Sequence, residues 1–165
     1  RATVPSIVFY NLHNCAAVHF IEADNSSYLC SDRKDSTYIY MKNIAETYWK
    51  RKKMPIPHLL LSDYEGRNVW SHKGIVHWRG MNICMVTDGY WRNKSATNLL
   101  DIDYMYLCKG YKGEIAPLQK LFHIKRIVLD ASLGDYKSKA YKEECKTLGL
   151  DYIDISEKGS FRILL

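Results

Sequence analysis

The chain has 165 residues, and its 24 Lys and Arg against 18 Asp and Glu give a formal net charge of +6 at pH 7 and a pI near 9.0. This length allows about 70% of the unfolded chain's surface to be buried, so a single domain spanning 1–165 is expected. No apolar run approaches the ~20 residues that a bilayer-spanning helix needs, and residues 1–5 lack a signal-peptide pattern. The sequence therefore predicts a soluble domain.

The first half of the chain predicts one helix and then several short strands. Apolar positions at Tyr40, Ile44, Thr47 and Tyr48 favour a helix from about residue 35 to residue 53. The prolines in segment 54–57 end it, because each removes a backbone donor and discourages helix in the residue before it. The strands predicted after this break are 58–61, 69–70, 75–78 and 81–86, separated by glycines.

The last third, residues 98–165, reads as one continuous α/β unit. A strand at 104–108 leads into a glycine loop at 109–113 and then into a helix at 114–122. The apolar run 127–129 is typical of a strand that is buried on both faces. Asp135 is predicted to cap a helix that ends at Leu148, with Gly149 as its stop. The strands 150–155 and 161–165 are predicted to form a hairpin through the turn 156–159, where Gly159 supplies a positive φ.

The excess positive charge is local. One group of cations ends the first predicted helix, and a second lies among aromatic residues in segment 66–94, where Asp88 is the acidic residue. Basic side chains hold phosphates and aromatic rings stack on unpaired bases, so the mixture suits single-stranded nucleic acid. The alternatives are that these cations face an anionic membrane or only solvent, and that the lysines at the end of the helix oppose its macrodipole. The tryptophans could instead form the core of a β-meander. The DNA-binding candidates are Lys50, Arg51, Lys52, Lys53, Arg67, Lys73, Arg79, Arg92, Lys94, Trp70, Trp78 and Trp91.

Cysteine spacing excludes several kinds of site. The five cysteines are Cys15, Cys30, Cys84, Cys108 and Cys145. Their odd number and irregular spacing argue against a disulfide framework, and the sequence contains no Cys-x-x-Cys pair. We expect them to be small hydrophobic residues of the core. Cys108 is the one thiol whose neighbour, Lys109, could lower its pKa.

Asp130 is the first single-residue candidate. It stands at the carboxyl end of the predicted buried strand, where open α/β sheets place ligand-binding and catalytic groups. The alternative is that Asp130 and Ser132 bind backbone amides of the turn or cap the next helix. Gly110 and Gly113 offer at most a loose phosphate nest, since the loop lacks the ending of a P-loop.

Several segments resemble one known family. They are Asp-Tyr-Met-Tyr-Leu at 103–107, Leu-Gln-Lys-Leu-Phe at 118–122, Ile-Val-Leu-Asp-Ala-Ser at 127–132 and Tyr-Ile-Asp-Ile-Ser-Glu-Lys-Gly-Ser-Phe at 152–161. In this order they are similar to the end of the soluble C-terminal domain of ComEC-type competence proteins, the membrane channels of DNA uptake, in the form found in Bacteroidetes. A weaker likeness covers 7–11, 17–21 and 27–32, where the family has paired strands ending near an acidic residue.

The resemblance implies the fold. Other family members carry a metallo-β-lactamase-like domain in this position, so we expect an α/β fold, a reduced αββα sandwich of mixed sheets with helices outside. A di-zinc enzyme of that superfamily needs a His-x-His-x-Asp-His loop, because closely spaced ligands must converge on two cations. This sequence has no such loop. In active relatives the histidine-rich loop follows the strand that corresponds to 104–107, whereas in this sequence Cys108 and Lys109 follow it. His72 and His77 are five residues apart beside two tryptophans, which is more typical of surface or interface residues than of a metal site. No metal and no cofactor are expected.

Three hypotheses about function follow. The resemblance implies an accessory, non-catalytic domain of a DNA-uptake channel in the inner membrane, excised from the C-terminus of a longer membrane protein, that contacts single-stranded DNA or the membrane-embedded part of the channel. The alternative enzyme is a nuclease or phosphoesterase in which Asp32, Asp88 and Asp130 hold Mg²⁺ or Mn²⁺. Asp32 and Asp130 are its weak catalytic candidates. The third hypothesis is a purely structural role in channel assembly.

Overall fold

The computed structural model describes residues 4–12, 14–32, 55–61 and 63–165. The helix predicted at about 35–53 therefore lies outside the described residues. The described strands are β1 (Ser6–Phe9), β2 (Ala17–Ile21), β3 (Ser27–Ser31), β4 (His58–Leu59), β5 (Tyr64–Glu65), β6 (Val69–His72), β7 (Ile75–Trp78), β8 (Met81–Val86), β9 (Leu100–Ile102), β10 (Tyr104–Leu107), β11 (Phe122–Ile124), β12 (Arg126–Leu129), β13 (Asp151–Asp154) and β14 (Phe161–Leu164). The described helices are a 3-10 helix (Ala116–Lys120), α1 (Asp135–Leu148) and α2 (Ile155–Lys158).

The strands form two large mixed sheets and one small one. The five-stranded sheet has the order β14-β1-β2-β3-β4, and the seven-stranded sheet has the order β13-β12-β10-β8-β7-β6-β5. In the second sheet β8, β10, β12 and β13 are mutually parallel, whereas β5 to β8 form an antiparallel meander. Strands β9 and β11 pair in parallel beside them. The α/β class with mixed sheets is confirmed.

The two large sheets share one apolar core. Phe9 of β1 packs edge-on against Tyr106 of β10, with ring centroids 5.0 Å apart. Phe20 of β2 packs in the same way on Trp78 of β7 at 5.6 Å. All four side chains are 0% exposed, so water is excluded from the space between the inner faces of the two sheets. Burial of this apolar area stabilises the packing of the two sheets.

Helix α1 covers the outer face of the seven-stranded sheet. Its buried residues Tyr141 and Cys145 belong to the same apolar cluster as Ile127 and Leu129 of β12. The helix ends at Gly149, whose φ of 70° is the left-handed conformation predicted for its stop. The predicted cap is wrong by one position, because Gly134 is the N-cap and Asp135 is the first helical residue.

The predicted C-terminal hairpin is also wrong. Strand β13 pairs with β12 in one sheet, whereas β14 pairs with β1 in the other. Between them the Asp154 side chain accepts the Ser156 amide at 2.9 Å and starts the short helix α2. Gly159 has the predicted positive φ, 79°, but it turns the chain from one sheet to the other.

The helix predicted at 114–122 is much shorter than expected. Residues 116–120 form a 3-10 helix, and the apolar residue Phe122 begins strand β11. The Glu144 carboxylate of α1 accepts the amides of Ile115 and Ala116, both at 2.8 Å. This long-range carboxylate therefore satisfies the backbone donors that begin the short helix.

Candidate functional site

The parallel strands of the seven-stranded sheet all end at one edge, which we call the carboxyl-end edge. It comprises the residues that follow β8, β10 and β12, from Thr87, Cys108 and Asp130 onward. The turn between β6 and β7 lies there too, because the Met85 amide donates to the Gly74 carbonyl at 2.8 Å. Gly110 packs so closely on this edge that a Cβ would lie 1.9 Å from the Thr87 carbonyl oxygen. The fold thus brings together loops that are distant in sequence.

Asp130 has a structural position at this edge. Its carboxylate accepts the Tyr106 hydroxyl through Oδ1 and the Ser132 amide through Oδ2, the latter at 2.9 Å. Only 2% of Asp130 is exposed, and this burial raises the pKa of the carboxyl group above its usual range. These contacts match the alternative in which Asp130 binds a backbone amide of the turn. The Ser132 hydroxyl, in contrast, has no partner among the described residues.

Cys108 is not an activated thiol. It is fully buried, and burial, followed by the negative charges of Asp130 and Asp32, holds the pKa of its thiol well above the usual range. The prediction that Lys109 could lower this pKa is therefore wrong, since the exposed lysine does not outweigh desolvation. Asp32 itself accepts the Ala16 amide at 3.0 Å, which ties the end of β3 to the start of β2.

An open cleft of about 480 Å³ lies at the carboxyl-end edge. We call it the Lys73 cleft. Its mouth carries Lys73, the carboxylates of Asp63 and Asp88, and the aromatic side chains of Tyr90 and Trp91. This volume lies in the range of small-ligand sites, roughly 300–1,000 Å³.

Two lysines converge on one aromatic ring at this mouth. The Nζ atoms of Lys73 and Lys94 lie 5.2 and 4.9 Å from the centroid of the Tyr90 ring, within the range of cation–π attraction. Lys73 has a positive φ of 49° in its turn, and its amide donates to Asp63 at 3.1 Å. That bond is the largest of the contacts that lower the pKa of Asp63, and the bond from His72 is the next. The bond to Asp63 thus fixes the backbone of Lys73 in this turn.

A smaller cleft of about 280 Å³ is lined by Arg92, which directly follows Trp91 of the first cleft in the chain. We call it the Arg92 cleft, and its polar lining includes Arg92, Asn93, Lys112 and Glu114. The sequence candidates included Arg92 but missed Lys112, although the glycine loop that holds Lys112 was singled out. Tyr90 is one of the aromatic residues that the sequence places among the cations of segment 66–94. Asp63 was absent from the candidates, since no local pattern places it beside Lys73.

The structure separates the other DNA-binding candidates. Arg67 and Arg79 lie in the turns at the opposite end of the β6–β7 pair, where Val69 pairs with Trp78. Arg79 also forms an ion pair with Glu22 at 3.4 Å.

The tryptophan candidates differ in exposure. Trp70 is 40% exposed, whereas Trp78 is 0% exposed. The prediction that Trp78 stacks on a base is therefore wrong, because Phe20 and the sheet core cover its ring. The candidates Lys50, Arg51, Lys52 and Lys53 lie outside the described residues.

The metal candidates are engaged in other contacts. His72 Nδ1 lies 2.7 Å from Asp63, and His77 Nδ1 lies 2.6 Å from Asn82. In the described part of the chain, no group of three or more His, Cys, Asp and Glu side chains could hold a metal ion. The trio Asp32, Asp88 and Asp130 is therefore not gathered into such a group. Asp88 accepts the Tyr90 amide at 2.9 Å instead.

Comparisons with known proteins identify the family. The family model described as the ComEC C-terminal domain matches residues 7–165. Comparison with curated proteins and with solved structures gave no match. Within the described ranges, no helix combines the length and apolarity that crossing a bilayer demands. Membership of this family implies a role in competence-linked DNA uptake and suggests that the chain is part of a membrane protein. The chain belongs to the ComEC C-terminal domain family.

Proposed function

We propose that this chain is an accessory, non-catalytic domain of a DNA-uptake channel and that its carboxyl-end edge contacts incoming single-stranded DNA. The observation that carries the proposal is that the ammonium groups of Lys73 and Lys94 both lie beside the ring of Tyr90, which lines the Lys73 cleft. Arg92 and Lys112 add positive charge in the neighbouring cleft. Cations beside aromatic rings are the usual means of binding single strands without sequence preference.

Contacts of the strand-end residues support a non-catalytic role. The carboxylate of Asp130 is buried between Tyr106 and the Ser132 amide, and the Cys108 thiol is buried with a raised pKa. A general acid, base or nucleophile must reach the reacting atoms. Both groups instead serve the packing of the two sheets, and the sequence lacks a His-x-His-x-Asp-His loop.

The fold proposal is that this domain is a reduced metallo-β-lactamase-like sandwich. It is supported by two mixed sheets that share one core and by helix α1 outside the seven-stranded sheet. Its assignment to the Bacteroidetes form, its single-domain span and its excision from the C-terminus of a longer inner-membrane protein stay predictions. We also propose that the membrane-embedded part of the same channel is its partner.

The experiment is a fluorescence-anisotropy titration of a labelled single-stranded oligonucleotide across a salt series, with EDTA and with Mn²⁺, followed by a gel of the same samples. The proposal predicts binding that weakens linearly in log salt while the oligonucleotide stays intact. Cleavage that depends on Mn²⁺ would establish the nuclease alternative. Absence of both binding and cleavage would leave a structural role in channel assembly.

A further inference from the structure

The Lys73 cleft and the Arg92 cleft are neighbours along the chain. Tyr90 and Trp91 line the first, whereas Arg92 and Asn93 line the second. The linings of the two clefts therefore meet at the bond between Trp91 and Arg92, whose Cα atoms are about 3.8 Å apart. We propose that the two clefts form one binding site for a nucleotide of single-stranded DNA together with both of its flanking phosphates; this inference rests on the proposed function.

The Lys73 cleft suits the base rather than a phosphate. Its volume of about 480 Å³ accommodates a nucleobase. The interior is apolar at Leu60, Val76 and Met85, and the carboxylates of Asp63 and Asp88 stand at its rim. Two carboxylates repel a phosphate, but they accept hydrogen bonds from an exocyclic amino group.

The lysine pair at the mouth suits the first phosphate. The ammonium groups of Lys73 and Lys94 each lie about 5 Å from the centroid of the Tyr90 ring, at 5.2 and 4.9 Å, so each is a donor for an anion beside that ring. Each ammonium group has three donors. In the proposed site the phosphate binds these ammonium groups while its base enters the cleft beside the carboxylates.

The Arg92 cleft suits the second phosphate. A guanidinium group binds a phosphate through two parallel hydrogen bonds, and Lys112 adds a second cation, so the two cations outnumber the single Glu114 carboxylate of this cleft. The loop is held in place from behind, because Lys137 Nζ donates to the carbonyls of Lys112 and Gly113 at 3.3 and 3.2 Å. The Tyr141 hydroxyl also donates to the Gly113 carbonyl at 2.7 Å. A small, braced cleft of this kind is preorganised for an anion.

The proposal specifies which bases bind best. Cytosine and adenine carry an exocyclic amino donor, whereas thymine has none. The Asp63 and Asp88 carboxylates therefore favour cytosine and adenine over thymine. Replacement of Asp88 by Asn reduces this preference, because an amide oxygen is a weaker acceptor than a carboxylate.

The test compares two small ligands by NMR titration of the intact domain: deoxycytidine 5′-monophosphate and deoxycytidine 3′,5′-bisphosphate. Wild type is expected to bind the bisphosphate roughly tenfold more tightly, as one additional charge-assisted contact provides. The Arg92→Ala/Lys112→Ala variant should bind both ligands equally. Arg67→Ala, at the opposite end of the sheet, is the matched control and should keep the tenfold difference. Thermal unfolding confirms that each variant is folded.

Equal binding of the two ligands by wild type would overturn the inference, as would a bisphosphate preference that survives in Arg92→Ala/Lys112→Ala. Binding of a single-stranded oligonucleotide is measured in the same samples. If the oligonucleotide binds in a salt-dependent way but wild type binds the monophosphate and the bisphosphate equally, the nucleotide site is refuted and the proposed function stands. If wild type binds no oligonucleotide, the proposed function itself fails.

Discussion

Substitution of Asp130 separates a structural role from a catalytic one. Asp130→Ala removes the acceptor for a fully buried hydroxyl, that of Tyr106, and for the half-buried amide of Ser132. Two hydrogen bonds to a charged group, at about 1.5–3 kcal/mol each, contribute about 3–6 kcal/mol together. Part of this is offset, because the variant no longer buries a carboxylate whose pKa burial has raised. We therefore expect a loss of about 2–3 kcal/mol in the free energy of unfolding.

Thermal and denaturant unfolding measure this loss. For a domain of this size 1 kcal/mol corresponds to about 2–4 °C, so Tm should fall by roughly 5–10 °C. Asp88→Ala is the control: Asp88 is an exposed carboxylate at the same edge that accepts one amide, and its removal should cost less than about 1 kcal/mol. A Tyr106→Phe/Asp130→Ala double-mutant cycle should show a coupling of about 1–2 kcal/mol.

The same position gives a pH dependence of known sign. A carboxyl group whose pKa is raised in the folded state contributes stability that is present below its unfolded pKa, 3.8, and is lost as the pH rises through the folded pKa. Asp130→Asn cannot titrate, so the stability advantage of wild type over this variant should shrink from pH 4 towards pH 7. An Asp130→Ala variant with unchanged stability, or an advantage that grows with pH, would refute the reasoning.

Three further predictions concern the core and the edge. Trp78→Phe should cost under about 1.5 kcal/mol, since the buried indole N–H has no partner among the described residues, whereas Trp78→Ala should cost about 3–5 kcal/mol in urea unfolding. Gly110→Ala should weaken oligonucleotide binding and lower Tm, because its Cβ would lie 1.9 Å from the Thr87 oxygen; Gly134→Ala, with nothing within 4 Å, is the control. Burial, followed by the charge of Arg162, lowers the pKa of His19 to about 3. Stability should therefore fall by about 2–3 kcal/mol from pH 6.5 to pH 4.5 in wild type, and His19→Gln should flatten that loss.

Local signals in the sequence predicted part of the local structure. The apolar run that became β12 and the glycine that ends α1 follow from side-chain pattern and backbone conformation alone. The hairpin predicted for the last two strands was wrong, because Asp154 caps a helical turn and the two strands find partners in different sheets. Strand pairing is decided by the tertiary core, which no local window contains.

The candidate site was predicted in part. The segment 66–94 was identified as basic and aromatic, but two-residue turns at Lys73–Gly74 and Arg79–Gly80 send its cations to opposite ends of the sheet. All four of these turn residues have positive φ, which is typical of the tight turns that suit β-hairpins. An X-Gly pair between two predicted strands could have shown this separation in advance. No pattern in the sequence indicated that Asp63 and Lys112 lie near this site.

The salt dependence of oligonucleotide binding in two paired variants tests most directly whether the carboxyl-end edge contacts DNA without cleaving it. Each phosphate contact contributes about 0.7 to the slope of log affinity against log salt for a single strand. Lys73→Ala/Lys94→Ala removes the cations of one phosphate contact and should therefore lower the slope by about 0.7, whereas Arg67→Ala/Arg79→Ala should leave it nearly unchanged, with the oligonucleotide intact throughout. Equal slopes in both variants, or cleavage of the oligonucleotide by wild type, would contradict the account.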